Sequence, residues 1–122
     1  MAASITPVEV DPVVFRVVGS PLPTGPVLLQ ARHDLDLTTV PAARAELTAL
    51  LADRHAPWVV VHLGVDRFVD MRGMRLLVAT GRQVRRRGGE LIVVAAPRCL
   101  RSMLARLGLD DELVLVDDPV GR

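Results

Sequence analysis

The chain predicts an α/β fold: a mixed β-sheet that opens with an N-terminal hairpin, carries its helices mainly on one face, and runs β-β-α-β-α-β-α-β. Three observations predict it. Residues 58–63 and 91–95 are short apolar runs, too short for helices and suited to buried strands. Between them lies a segment of helical spacing that stops at Gly88-Gly89, so the three make one βαβ unit. Near the start, two β-rich runs flank a segment dense in Gly and Pro, which reads as a hairpin.

Each element has its own justification. Val13 to Val18 and Val27 to Gln30 are the hairpin strands, joined by Gly19-Ser-Pro-Leu-Pro-Thr-Gly-Pro26. Thr38-Thr39-Val40-Pro41 opens the first helix. Thr can supply an N-cap oxygen, and Pro is tolerated in a first turn whose N–H groups lack partners. Val40, Ala43, Leu47, Leu50 and Leu51 form its buried stripe, and it should stop near His55, before Pro57. The second helix is expected from about Arg72 to Arg87. Gly73, Leu76, Leu77, Thr80 and Val84 share one arc of it, which should face the sheet. Arg72, Arg75, Arg82 and Arg86 share another arc, with Met74 and Val78 as an apolar margin between the two. Pro97 to Leu107 is the third helix, with Gly108 placed to end it in the left-handed conformation. Leu113 to Val116 is the last strand. Residues 1–11 are expected as a loose tail, 12–118 as one domain and 119–122 as a C-terminal tail.

A chain of 122 residues is long enough for one core. Its 15 basic and 14 acidic side chains nearly cancel, which argues against a general nucleic-acid binder. The basic residues are all Arg, and the aromatics are only Phe15, Trp58 and Phe68, so no base-stacking platform is on offer. The opening MAASITPVEVDP has neither a basic n-region nor an apolar h-region. No apolar run approaches the ~20 residues of a membrane span. A cytoplasmic protein with no membrane insertion is expected. Cys99 is a single cysteine and cannot form an internal disulfide.

Enzyme readings are weak. His33-Asp34-Leu35-Asp36 could hold a metal or do acid–base chemistry, but a strand end leading into a helix explains it better without a second His nearby. A hydrogen-bonded strand histidine explains His62 better than a general base does, and a buried inert thiol explains Cys99 better than a nucleophile. Ser4, Ser20 and Ser102 lie outside any Gly-rich elbow. Arg85-Arg86-Arg87 reads as a solvated helix end that complements the macrodipole. No catalytic residue, metal ligand or cofactor is expected. Asp70-Met71-Arg72-Gly73 remains, as either a plain N-cap or an exposed loop carrying interface residue types.

Four segments then stand in a telling order: Leu35-Asp36 after a strand; Phe68-Val69-Asp70-Met71-Arg72-Gly73 before a Leu-rich helix; Arg87-Gly88-Gly89-Glu90-Leu91-Ile92-Val93-Val94; and Leu107-Gly108-Leu109-Asp110. Over about residues 12–116 this set resembles the STAS domain family, particularly the bacterial anti-sigma-factor antagonists. The family's Gly-Glu-Leu-Asp is kept only as Leu35-Asp36. Its Asp-Ser-Ser-Gly loop is Asp70-Met71-Arg72-Gly73 here. The family's closing helix is expected to be absent.

The resemblance implies a non-catalytic module that binds an anti-sigma factor of the ATPase-kinase type and frees its sigma factor. In the family the kinase phosphorylates a Ser of that loop, and the added negative charge breaks the pairing. Met71 and Arg72 cannot be phosphorylated, and Arg72 carries the opposite sign to a phosphoserine. The expected partner surface is Asp36, Asp70, Met71, Arg72, Gly73, Met74, Arg75 and Val78, with Asp36 and Asp70 close together at one end of the sheet. The alternative is a STAS subunit docking on another protein, such as a transport ATPase or a multi-STAS signalling assembly. A homodimer is compatible with either.

Overall fold

The structure, a computed structural model, describes residues 13–19 and 25–118. The expected tails at 1–11 and 119–122, and most of the hairpin turn, lie outside the described residues. Five strands form one sheet: β1 (Phe15–Gly19), β2 (Val27–Ala31), β3 (Trp58–His62), β4 (Glu90–Val94) and β5 (Val114–Val116). They lie side by side in chain order. β1 and β2 pair antiparallel as the expected hairpin, and every later pairing is parallel. Three helices make the crossovers: α1 (Val40–Leu51), α2 (Met71–Arg86) and α3 (Arg98–Arg106).

Strand alternation shows where the core sits. Val27, Leu29, Val59, Val61, Leu91 and Val93 are buried. Their alternates Leu28, Val60, Ile92 and Val114 stand opposite one another across four strands and stay partly exposed. The helices therefore lie over one face. α2 packs on β4 and touches both α1 and α3.

Local chemistry explains the helix ends. α2 and α3 both finish in a Schellman arrangement: Gly89 and Leu109 N–H groups reach back to the Val84 and Leu104 carbonyls, with Gly88 and Gly108 at positive φ. A Cβ on Gly89 would run into the Pro57 backbone, so the start of β4 can approach the segment before β3 only because residue 89 has no side chain. α1 stops at Leu51, short of the expected His55. Arg54 N–H and the Arg87 guanidinium both bond the Leu51 carbonyl, and Arg54 Nε bonds the Leu50 carbonyl. With those carbonyls satisfied, the chain leaves the helix and turns through Ala56 at φ 45°. A 3₁₀ turn at Asp110–Glu112, not anticipated from sequence, leads into β5. No helix follows β5 among the described residues.

Candidate functional site

Two loops meet at the end of the sheet where β2 and β3 hand over to α1 and α2. Leu35 forms an isolated parallel bridge with Val69. Leu35 N–H donates to the Phe68 carbonyl at 2.9 Å, and Asp70 N–H to the Leu35 carbonyl at 3.0 Å. Side chains complete the seam. Asp34 Oδ1 accepts Phe68 N–H at 2.9 Å, and Asp70 Oδ2 accepts Leu37 N–H at 3.1 Å. The segments carrying Asp36 and Asp70 are thus adjacent, as expected.

Asp70 is the N-cap of α2: its Oδ1 accepts Arg72 N–H at 2.8 Å and Gly73 N–H at 3.0 Å. Counting Leu37, three N–H groups converge on this one carboxylate. It locks the loop and has little capacity left for catalysis or for a metal. Asp36 works inside its own turn. Its Oδ1 accepts Thr38 N–H at 2.9 Å and the Thr38 hydroxyl at 2.7 Å. The hydroxyl bond of Thr38 and then its backbone N–H hold the Asp36 carboxyl below the usual carboxylate range. Thr39 is the N-cap of α1 by position, but its hydroxyl makes no cap bond, which corrects the expectation of a Thr cap oxygen. That hydroxyl faces backwards instead, accepting Asp36 N–H and donating to the Asp34 carbonyl.

The stitched loops hold apolar side chains in solvent. Leu37 is 59 % exposed, Phe68 51 % and Met71 39 %. Arg72 and Arg75 are exposed beside them. Leu37 and Phe68 are the residues that sequence reasoning missed. The available signal was a large apolar residue in each of two loops that lead from strand to helix.

The core arc of α2 is as expected: Gly73, Leu76, Leu77, Thr80 and Val84 are buried, and Arg72, Arg75, Arg82 and Arg86 are exposed. Three expected surface residues are not at the surface. Gly73 is buried, and a Cβ there would strike the Leu35 carbonyl and Cβ; its bareness lets the first turn of α2 sit against the neighbouring loop. Met74 and Val78 are 2 % and 6 % exposed, because α3 and the residues after it pack along that side of α2. They line the bottom of a groove of about 470 Å³ between α2 and Leu107–Leu109.

The remaining candidates lie apart from this seam or serve the fold. His33 is exposed and not part of the seam. His62, at the end of β3, places Nε2 2.9 Å from Asp118 Oδ2, beside a cavity of about 430 Å³. Cys99 is half-buried rather than fully buried, and its sulfur accepts Val69 N–H at 3.3 Å beneath the Asp70 loop. The arginine triple does more than complement a helix end: Arg85 pairs with Glu90 and Glu112, and Arg87 ties α2 to the end of α1. Among the described residues no three His, Cys, Asp or Glu side chains gather as metal ligands would. No described helix is long and apolar enough to cross a membrane.

Comparison with known proteins fits this geometry. The anti-sigma factor antagonist SpoIIAA in its unphosphorylated form is similar in structure, with a TM-score of 0.62 at 16 % identity, over 87 % of this chain and 90 % of that one. The Bacillus cell fate determinant SpoIIAA in its phosphorylated form gives 0.58 at 15 % identity, over 87 % and 94 %. The protein TM1081 gives 0.66 at 13 % identity, over 98 % and 91 %. No curated protein sequence matches the chain. At these identities the likeness is one of fold. The family assignment comes from the sequence, since the STAS domain pattern matches residues 13–120, and the chain belongs to the STAS domain family.

Proposed function

We propose that this protein is a non-catalytic regulator that binds an anti-sigma factor of the ATPase-kinase type through the loops at the start of α2. In this reading it is not switched by phosphorylation there. The observation that carries the reading is the exposed trio Leu37, Phe68 and Met71 on two loops pinned by Asp34 and Asp70. Apolar side chains held in water on a rigid frame suit a preformed protein interface, where little ordering entropy remains to be lost on binding.

The chemistry of the loop supports the second half of the proposal. A kinase needs a hydroxyl, and the two exposed residues that open α2 are Met71 and Arg72. Thr80 is 5 % exposed and donates its hydroxyl to the Leu76 carbonyl. SpoIIAA, similar in fold, is known in both unphosphorylated and phosphorylated forms; this chain offers no hydroxyl in the corresponding loop.

Affinity capture with a purified kinase-type anti-sigma factor tests the binding. Leu37→Ser with Phe68→Ser should abolish capture while the circular-dichroism spectrum and Tm stay near those of the parent, since both side chains are already in solvent. Undiminished capture by that double variant would place the interface elsewhere.

A further inference from the structure

The groove beside α2 has a defined chemistry. Met74 and Val78 form its base, and Leu107 and Leu109 its far wall. Leu107 is half-exposed, so the wall is unfinished. The two ends differ in charge. Arg82, near one end, donates Nε to Glu112 Oε1 at 2.9 Å and is balanced within the molecule. At the other end Arg75 lines the groove, Arg72 is exposed three residues before it and outside the lining, and neither guanidinium has a hydrogen bond or ion pair among the described residues. Arg72 is the second residue of α2, and the first turn holds no acidic side chain. A cation there opposes the helix dipole. No hydrogen bond or ion pair of its guanidinium among the described residues accounts for an arginine at that place. A carboxylate brought by a partner does.

We propose that this groove receives an acidic amphipathic helix of a partner protein, its apolar stripe on Met74, Val78 and Leu107 and its carboxylates on Arg72 and Arg75. The proposal rests on the reading of this end of α2 as the partner surface and adds the chemistry of what docks. An apolar channel between two elements, with charge at one end, matches the helix-in-groove mode of recognition, and Arg engages carboxylates through paired N–H groups. A small anion would leave Met71 and Leu107 uncovered. A nucleic-acid strand would find no aromatic side chain in the groove on which to stack.

The test uses the full chain and three synthetic peptides of about 16 residues, long enough to hold a helix. One has a Leu stripe flanked by Glu, one has Lys in place of Glu, and one keeps the Glu residues but scrambles the stripe. Binding is read by fluorescence anisotropy and mapped by amide chemical shifts. The Glu peptide alone should bind, with shifts centred on residues 71–82 and 107–109. Arg72→Glu with Arg75→Glu should weaken it about ten-fold, since two exposed attractions become repulsions, and should turn preference toward the Lys peptide. Leu107→Ser should weaken both. Equal binding of Glu and Lys peptides, shifts centred outside the groove, or indifference to the charge reversal would each overturn the proposal. Capture of the kinase-type anti-sigma factor, run on the same variants, separates the two readings. Loss with Leu37→Ser and Phe68→Ser but not with the charge reversal keeps the proposed function and overturns this inference. Glu-peptide binding in the groove without any capture of the kinase supports this inference and overturns the other.

Discussion

Asp70 is the residue on which this end of the molecule turns. Its carboxylate collects the N–H groups of Leu37, Arg72 and Gly73, so one side chain caps a helix and fastens a neighbouring loop. Losing an N-cap of this kind costs about 0.5–2 kcal/mol. Asp70→Ala should therefore lower stability by about that amount, read by urea denaturation, and should also collapse the shift of the Leu37 amide. The cap was legible in the sequence, because Asp before a helix start has a local meaning. The bond to Leu37 was not, because it joins positions far apart in the chain whose register depends on the finished sheet. Gly73 makes the same point. Its place on the inward arc of α2 was legible, but the Leu35 carbonyl lying where a Cβ would go was not. Gly73→Ala should cost about 1–3 kcal/mol by overpacking, with no change in backbone φ required. Asp36 supplies a pH test. Its folded-state pKa is held below the usual 3.8, first by the Thr38 hydroxyl, so the ionised form favours the folded turn. That contribution is present above the unfolded pKa and is lost as pH falls through the folded one. The Thr38 amide shift should hold steady down to the ordinary carboxylate range and move only below it. Movement that begins near neutral pH would contradict the Asp36–Thr38 bond.

At the scale of elements, α2 separates what periodicity can read from what it cannot. The helical period found the buried arc from Gly73 to Val84 and the exposed arginines, because a core stripe is encoded by spacing alone. Met74 and Val78 fall at the edge of that arc. Whether an edge residue is covered depends on which neighbour packs there, and α3 with Leu107–Leu109 buries both. The order of elements along the chain and the hairpin were equally legible, whereas the exit of α1 at Leu51 depends on Arg54 and the distant Arg87. Two substitutions on α2 should therefore behave in opposite ways. Leu77→Ala removes a fully buried side chain and should cost about 2–5 kcal/mol. Arg72→Glu puts a carboxylate at the second helical position and should stabilise α2 by about 0.3–1 kcal/mol, raising Tm while weakening partner capture. A rise in stability with a fall in binding is the mark of a residue kept for an interface. A fall in Tm would mean that Arg72 contributes to the fold through a contact of its own.

For the whole molecule, the question is whether a kinase-type partner can bind this surface without switching it. Phosphotransfer needs a hydroxyl presented to the γ-phosphate of ATP. The loop presents a thioether at Met71 and a guanidinium at Arg72, while Thr80 is buried in the core face of α2. One exposed hydroxyl on the facing loop is set apart by the linear sequence. Thr38 is exposed and follows Leu37, whose N–H bonds Asp70, and its proton is already donated to Asp36. Incubation with a kinase-type anti-sigma factor and ATP should therefore leave the intact mass unchanged. Changing Met71-Arg72 to Ser-Ser should then create a substrate and make capture sensitive to ATP, because the Asp70 cap still fixes the loop and a phosphate there would bring roughly −1.5 to −2 charges into the interface. The fold should tolerate this exchange, since both residues are exposed. Peptide mapping gives the result its meaning. Phosphate on Thr38 of the parent chain, abolished by Thr38→Val, would show that control has moved across the seam to the facing loop. A Ser-Ser variant that binds the kinase firmly yet is never modified would show that the partner holds this loop away from its nucleotide, and the exposed trio would then be an anchor rather than a switch.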